Sequence, residues 1–210
     1  MHKKPEFNIV EISSFLHHFY QLKETKRAGW KTKLQLENSE SVAEHTLAMI
    51  VFALIFSEYR NYSLNKTIKI VKMILIHDLG ESIIGDYEPK TIDLVKKKHL
   101  ENSAMSTIIS KIPWIAIEHK YSKLWKEYNE NKTKTSKIIH LMDKLEMALQ
   151  AIYYLENREN INKDDIRPFL KSASEYVFEN HKANNNKKPI KDIISKDIEE
   201  IEQIILYLCK

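Results

Sequence analysis

The metal-binding side chains at 77, 78 and 143 stand in surroundings where such side chains are costly. His77 and Asp78 directly follow the apolar run Met-Ile-Leu-Ile at 73–76, so a helix through that run would place an imidazole and a carboxylate in or beside the core. His45 lies at the predicted start of another helix, and Asp143 lies in the middle of a largely apolar one. A buried carboxylate normally finds a metal ion, a cation or several hydrogen-bond donors.

Together these residues supply two imidazoles and two carboxylates. That mixed nitrogen and oxygen set suits Mn²⁺, Co²⁺, Fe²⁺, Ni²⁺ or Zn²⁺ and, less well, Mg²⁺, and it leaves coordination positions open for water and substrate. From the residues alone two structural alternatives stay open. His77 alone could be a satisfied core histidine, and Asp143 could pair with a lysine or an arginine.

Three segments resemble one family. They are Ser-Val-Ala-Glu-His at 41–45, His-Asp-Leu-Gly-Glu-Ser-Ile-Ile-Gly-Asp-Tyr-Glu-Pro at 77–89, and Asp-Lys-Leu-Glu-Met at 143–147. Their ordered H…HD…D pattern resembles the HD-domain metal-dependent phosphohydrolases. The neighbouring residues are similar to the 5′-deoxynucleotidase branch, which holds the YfbR-like and HD-domain-containing protein 2-like enzymes.

The resemblance implies one divalent metal cation held by His45, His77, Asp78 and Asp143. It also implies a metal-dependent phosphomonoesterase that converts deoxyribonucleoside 5′-monophosphates to deoxynucleoside and phosphate. The partner is then a small nucleotide rather than a nucleic acid.

Catalytic roles fall to Glu81, Asp78 and Arg27. Glu81, three residues after Asp78, lies on the same side of the turn and can handle the proton of the attacking water or of the leaving oxygen. A glutamate at a helix N-terminus is also favoured by the helix dipole, which is the structural alternative. A guanidinium such as that of Arg27 matches phosphate bidentately.

Substrate binding is expected at Arg27, Trp30 and Asp86. The Trp30 indole can stack on a base or sugar, and Asp86, which follows Gly85, can reach a sugar hydroxyl or act as a simple turn residue. Ala28 and Gly29 separate Arg27 from Trp30, which is similar to the Arg-Thr-Gly-Trp form of the eukaryotic-like branch.

Other functions remain as alternatives. An HD phosphohydrolase could act on a dNTP, a cyclic nucleotide or a non-nucleotide phosphate ester. A metal-dependent oxygenase would need further ligands, for which His99 or His119 would have to serve. A catalytically idle helical protein that binds partners is the third possibility.

Composition indicates the scaffold. The 210 residues hold three glycines, against about fifteen expected at ~7%, and five prolines, too few turn-formers for a many-stranded sandwich or barrel. GxGxxG and GxxxxGK[ST] motifs are absent. We therefore expect an all-α fold, a single HD domain over 1–210 made of about eight helices. Its core would span about 10–160 and a helical C-terminal extension about 163–208.

Hydrophobic spacing sets the expected helices. They cover about 7–24, stopped by Gly29, then 42–59 behind a capping box from Ser41 to Glu44, and 65–77 with Asn65 as N-cap. A short helix and loop follow at 81–90. Further helices are expected at about 92–111, 114–129, 134–157, 166–183 and 190–208, with a linker at 184–189.

Charge and targeting signals are weak. The net charge of +4 comes from interspersed lysines and acids, which is typical of a solvated surface rather than a nucleic-acid face. A single cysteine, Cys209, and the absence of a signal peptide or an 18-residue apolar run predict a cytoplasmic protein without a membrane span. We expect a homodimer; the aromatic segments 15–20 and 121–128 could form its interface or part of the core.

Overall fold

The computed structural model describes residues 9–88, 93–185 and 196–209, and over these ranges the chain is all-α, as predicted. Ten helices, rather than about eight, are described. They are α1 (Ile9–Glu24), α2 (Ala28–Leu34), α3 (Val42–Tyr59), α4 (Leu64–His77), α5 (Glu81–Ile84), α6 (Leu94–Ile109), α7 (Ile115–Glu130), α8 (Lys134–Asn157), α9 (Lys163–Asn185) and α10 (Lys196–Leu208). The short helix α2 was not predicted, and α5 is the short helix expected within 81–90.

The chain divides into two compact units. The first comprises Met1–Leu47 with Lys72–Glu130, and the second comprises Ala48–Val71 with Asn131–Lys210. The boundaries fall within α3 and α4, so each of these helices contributes residues to both units. The assignment of the whole chain to one domain stays a prediction.

The first unit packs α1, α5, α6 and α7 around an apolar cluster. Phe15 and Leu22 of α1, Ile76 of α4 and Met105 of α6 are among its buried members. Burying one such side chain contributes roughly 1.5–3 kcal/mol. Both aromatic segments considered for an interface belong here, because Phe15 is buried in the cluster and Phe19, Tyr121, Leu124 and Trp125 pack against it.

The second unit packs α8, α9 and α10 against one another. Both α8 and α10 bury apolar faces, including Ile138 and Ile205. Arg60, just after α3, anchors α10 by ion pairs to Asp197 at 2.5 Å and Glu200 at 3.2 Å. The C-terminal helix is therefore held by both apolar packing and charge.

Helix starts and stops were predicted unevenly. The capping box that opens α3 is confirmed, with the Ser41 backbone and hydroxyl groups bound to Glu44. The N-cap predicted at Asn65 is wrong, since α4 begins at Leu64 and the Ser63 carbonyl accepts from the Thr67 N–H. Gly29 is not a left-handed stop either, because it lies inside α2.

The helix predicted over 166–183 begins earlier, at Lys163. Asn162 precedes it and its side-chain oxygen accepts from the backbone N–H of Asp164 at 2.8 Å, which satisfies a free donor of the first turn. Pro168 lies inside this helix. Most of the predicted linker at 184–189 lies outside the described residues.

Among the described residues, α3 is the one helix long and apolar enough to cross a membrane by length and composition. A core helix passes the same test, so this is weak evidence for a span. One face of α3 exposes a stripe of large apolar side chains at helical spacing: Leu47, Val51, Leu54 and Ile55. We call these four residues the α3 stripe.

Candidate functional site

His77 and Asp78 meet at the end of α4 in a way that requires a positive charge between them. The Nδ1 atom of His77 lies 2.7 Å from the carbonyl oxygen of Ile74, and a carbonyl only accepts, so Nδ1 carries the proton. In the neutral ring the lone pair is therefore on Nε2. That atom lies 3.0 Å from Oδ2 of Asp78, a second acceptor. Two acceptors at that distance are stabilised by a proton or a cation shared between them.

His45 is held at the same place by the start of α3. Its backbone N–H donates to the carbonyl of Ser41, inside the capping box, and its side chain is fully buried. Its Nε2 atom lies 3.9 Å from Oδ2 of Asp78, and a ring nitrogen of His45 lies within 4.8 Å of one of His77. Both imidazoles thus face one carboxylate.

Glu40 connects this cluster with Arg27 and Trp30, and sequence reasoning missed it. Its Oε1 accepts from the Trp30 indole N–H at 2.7 Å and lies 4.0 Å from Nε of Arg27. A Glu40 carboxylate oxygen is also within 4.8 Å of a ring nitrogen of His45. The only sequence signal was its position directly before the capping box.

Trp30 does not present the open ring that its predicted stacking role requires. Its side chain is 1% exposed, and its N–H is bound to Glu40. A ring covered in this way has no free face on which a base could stack, so stacking is wrong for this conformation. In the structure Trp30 orients Glu40 instead.

Glu81 opens the four-residue helix α5, three residues after Asp78. Burial is the main cause that raises the pKa of its carboxyl well above the ordinary 4.5, and the negative charges of Asp78 and Asp86 add to it. The cations of Arg27 and Lys97 oppose this rise. A carboxyl in such surroundings is suited to proton transfer near neutral pH.

Asp86 lies just beyond α5, where the chain turns at Gly85. Gly85 has φ of +78°, a left-handed value that favours glycine, and its N–H donates to the carbonyl of Glu81. Oδ2 of Asp86 accepts from the backbone N–H of Ala28, the first residue of α2, at 2.6 Å. Asp86 thereby fixes the start of α2 next to Arg27.

Helix α6 adds two charged residues that sequence reasoning also missed. Burial raises the pKa of Glu101, and the charge of Asp78 contributes in the same direction. The ammonium of Lys97 lies 3.5 Å from Glu101 and also acts on the carboxyl of Glu81. Their spacing of four residues is that of an ordinary surface ion pair, so nothing in the sequence singles them out.

Asp143 lies in the second unit, on α8. Its side chain is largely buried, and its Oδ2 atom lies 2.9 Å from the ammonium of Lys144. The lysine pair considered as the structural alternative is therefore present. The predicted role of Asp143 as a metal ligand stays a prediction.

The donors gathered in the first unit fit a divalent cation. Neutral imidazole nitrogens and carboxylate oxygens are the ligands that Mn²⁺, Co²⁺, Fe²⁺ and Zn²⁺ accept. The hydrogen bond from His77 Nδ1 to a main-chain carbonyl is the outer contact that orients a metal-binding histidine. With Glu81 beside them, these residues can bind a metal and move a proton at the same place.

Comparison with known proteins identifies relatives for most of the chain. The family model described as HD domain matches residues 19–185. A mouse protein named 5′-deoxynucleotidase HDDC2 is 35% identical over 147 residues, which cover 69% of this chain and 71% of the mouse protein. The protein of the same name from Dictyostelium discoideum is 32% identical over 172 residues, covering 77% of this chain and 89% of the relative.

Solved structures share the fold. A Pyrococcus horikoshii OT3 protein has a TM-score of 0.64 at 26% identity, and the match covers 96% of this chain and 99% of that one. A protein described as a predicted metal-dependent phosphohydrolase, from Magnetospirillum magnetotacticum MS-1, has a TM-score of 0.63 at 19% identity. That match covers 99% of this chain and 94% of the other.

Proposed function

Because the chain belongs to the HD-domain family, in the group of its 5′-deoxynucleotidases, we propose that it hydrolyses deoxyribonucleoside 5′-monophosphates to deoxynucleoside and inorganic phosphate. The observation that carries the proposal is the 3.0 Å approach of His77 Nε2 to Asp78 Oδ2, two acceptor atoms that a shared proton or cation would stabilise. The curated relatives are named for this activity, and the site chemistry agrees with it.

One divalent cation would be held by His45, His77 and Asp78, with Asp143 as the fourth ligand that the family pattern implies. When bound, the cation polarises a phosphoryl oxygen as a Lewis acid and makes water more acidic. The side chains do the positioning: the capping box holds His45, and the Ile74 carbonyl fixes the ring of His77. Asp78 adds a negative charge between the two imidazoles.

Glu81 acts as the proton carrier in this proposal. Its raised pKa lets the carboxylate take a proton from the attacking water and return it to the leaving 5′-oxygen near neutral pH. Asp78 and Asp86 supply the negative charges that, after burial, sustain the raised pKa. Both charges come from residues within five positions of Glu81 in sequence.

Arg27 would bind the phosphate. Its guanidinium matches a phosphate monoester bidentately, and it lies close enough to Glu81 to influence that carboxyl. Glu40 is 4.0 Å from Arg27 Nε and is itself held by Trp30. Trp30 thus acts through Glu40, as a residue that orients the phosphate-binding arginine.

Asp86 would contact the sugar end of the substrate. It accepts from Ala28 through Oδ2, and Oδ1 is the carboxylate oxygen assigned to a sugar hydroxyl in this proposal. The same side chain would then couple sugar binding to the position of Arg27, one residue before Ala28.

The α3 stripe supports the further proposal of a homodimer. Four exposed apolar side chains on one helix face form a larger patch than the single exposed residues common on monomers, and a second copy would cover it. The Val51→Glu Ile55→Glu double variant should reduce the mass measured by light scattering from dimer to monomer. Ile115→Glu, at an exposed position of α7, should leave the dimer intact, and a wild-type monomer would contradict this proposal.

The substrate assignment is tested by a phosphate-release screen. Purified protein is supplied with Mn²⁺, Co²⁺, Mg²⁺, Zn²⁺, Fe²⁺ or Ni²⁺ in turn, together with each dNMP, the matching ribonucleotides, dNTPs and cyclic nucleotides. Phosphate released from the dNMPs in preference to the other substrates supports the proposal. Triphosphate release or ring opening without dNMP hydrolysis would instead identify one of the other HD activities.

A further inference from the structure

Helix α5, which carries Glu81, is too short to hold its own position. It has four residues, and a single helical turn is unstable without contacts from outside it. Gly85 ends it in a left-handed conformation, and Asp86 ties the following loop to α2. A second polar contact, from α1, reaches the middle of α5.

That contact joins His18 and Ser82, which are 64 residues apart in sequence. His18 Nδ1 lies 2.9 Å from the Ser82 hydroxyl oxygen. The hydroxyl donates its proton to the carbonyl of Leu79 at 2.8 Å, so its oxygen accepts from Nδ1–H. Lys111 completes the chain, because its ammonium lies 2.9 Å from His18 Nε2 and can only donate. We call this chain, Lys111 to His18 to Ser82 to Leu79, the His18 clamp.

The proton positions in the His18 clamp are all determined. An ammonium donor at Nε2 and a proton on Nδ1 together require a neutral imidazole. Burial and the charges of Lys111 and His17 lower the pKa of His18, which agrees with that state. The ring is 5% exposed, so both nitrogens are held by the protein. This series of hydrogen bonds ends on the backbone carbonyl of Leu79, which has no proton to pass on. It therefore fixes the positions of the residues and does not conduct protons.

The His18 clamp contacts residues on both sides of Glu81 in sequence, through the Ser82 hydroxyl and the Leu79 carbonyl. Leu79 follows Asp78 directly, and Ser82 follows Glu81 directly. Building on the proposed function, we propose that His18 is a positioning residue that holds α5 so that the Glu81 carboxyl faces Asp78 and the substrate. No family motif quoted above includes His18, and its partner lies on a different helix.

Three substitutions of His18 separate positioning from packing. His18→Asn keeps a donor near the Nδ1 position for Ser82, His18→Gln keeps a group near the Nε2 position for Lys111, and His18→Ala keeps neither. His17→Asn is the matched control at the neighbouring position, since His17 is exposed and its Nε2 atom lies 3.0 Å from the Gln21 side chain in the same helix. The measurements are kcat, KM and Mn²⁺ affinity with a dNMP substrate, and the 15N chemical shifts of His18.

The expected result is selective loss of kcat. His18→Gln and His18→Ala should lose about 10- to 100-fold in kcat, with KM and Mn²⁺ affinity changed less than threefold, because displacement of a catalytic group mainly slows chemistry. His18→Asn and His17→Asn should stay within about threefold of wild type. The His18 spectrum should show Nδ1 protonated and Nε2 unprotonated. Ser82→Ala should lose kcat as His18→Ala does, and the double variant should lose no more.

Equal loss by His18→Asn and His18→Ala would overturn the proposal, because packing rather than the hydrogen bond would then matter. A His18 protonated on Nε2 would overturn it as well, and so would multiplicative losses in the double variant. The proposed function fails differently, through a wild-type protein that releases no phosphate from any dNMP. An active wild type with unaffected His18 variants removes the positioning role alone.

Discussion

The carboxylate of Asp86 accepts a 2.6 Å hydrogen bond from the backbone N–H of Ala28, the first residue of α2. A side chain from a distant loop thereby satisfies a free N–H of the first turn of α2, which is usually the role of the N-cap residue. Arg27, the residue before Ala28, makes no side-chain cap for α2. This hydrogen bond therefore joins the loop after α5, which contains Asp86, to the start of α2.

Removing this hydrogen bond should weaken both the fold and substrate binding. We expect Asp86→Ala to lower the free energy of unfolding by about 1 kcal/mol, the usual cost of losing a helix cap, and to raise KM. Asp86→Asn keeps an acceptor oxygen, so its free energy of unfolding and its KM should change less than those of Asp86→Ala. Urea unfolding and steady-state kinetics measure the two effects. Equal stability of Asp86→Ala and wild type would contradict the capping role.

The capping box of α3 gives a prediction for acid stability. Hydrogen bonds from the Ser41 backbone, and then from its side chain, lower the pKa of Glu44 below 4.5. A carboxyl whose pKa is lower in the folded state stabilises the fold above its unfolded pKa, and that stability is lost as pH falls through the folded pKa. Wild type should thus lose stability below about pH 4.5 more steeply than Glu44→Gln.

Unfolding of metal-free protein between pH 2 and 7 checks this prediction, with Glu37→Gln as the control at an exposed site. Ser41→Ala should cost about 1 kcal/mol at neutral pH. If Glu44→Gln followed the wild-type pH profile, the capping box would contribute no pH-dependent stability.

Much of this site could be anticipated from local sequence. The capping box before His45 and the apolar run before His77 are short-range patterns, and both hold in the structure. Glu40 and His18 could not be anticipated, because their partners lie 10 and 64 residues away. Contacts at such separations depend on tertiary packing, which a single sequence does not specify.

The fold was predictable to a similar degree. Helix α8 matched its expected range, since its apolar spacing is repeated over many turns. Helix α2 was missed because its seven residues supply less than two turns of pattern within a polar stretch. The predicted stacking of Trp30 failed for a related reason, as burial of its ring is set by neighbours outside that stretch.

Glu81 should make metal-free protein less stable as pH rises. Burial and the charges of Asp78 and Asp86 raise its folded-state pKa above 4.5. Such a carboxyl contributes stability that is fully present below its unfolded pKa and is lost as pH rises through the folded pKa. We expect Glu81→Gln to be more stable than wild type at pH 8 in EDTA, with little difference at pH 4.

The same substitution should slow catalysis. Glu81→Gln cannot take up a proton, so kcat should fall by roughly 10²–10⁴ while Mn²⁺ affinity is retained. Calorimetric metal titration and dNMP turnover measure the two quantities on one preparation. Loss of metal binding in Glu81→Gln would indicate that this residue is a ligand and would overturn its role as proton carrier.

The residues that bind the metal can be identified from how much Mn²⁺ raises the Tm of each variant. A metal that binds only the folded chain stabilises it by about 2.7 kcal/mol at 100 times its Kd. Mn²⁺ should therefore raise the Tm of wild type, and His77→Ala, Asp78→Ala and Asp143→Ala should each lose most of that rise together with activity. Glu37→Ala, which removes an exposed carboxylate, serves as the control. An Asp143→Ala variant with full activity would remove Asp143 from the ligand set.

Titration of metal-free protein with Mn²⁺, with phosphate release from a dNMP followed at each addition, tests most directly whether one metal site performs this chemistry. Phosphate release should rise in proportion to bound Mn²⁺ and reach its plateau at one ion per chain, and Asp78→Ala should stay at the baseline throughout. Hydrolysis by metal-free wild type, or no phosphate at any amount of bound metal, would contradict a deoxynucleotidase built on His45, His77 and Asp78.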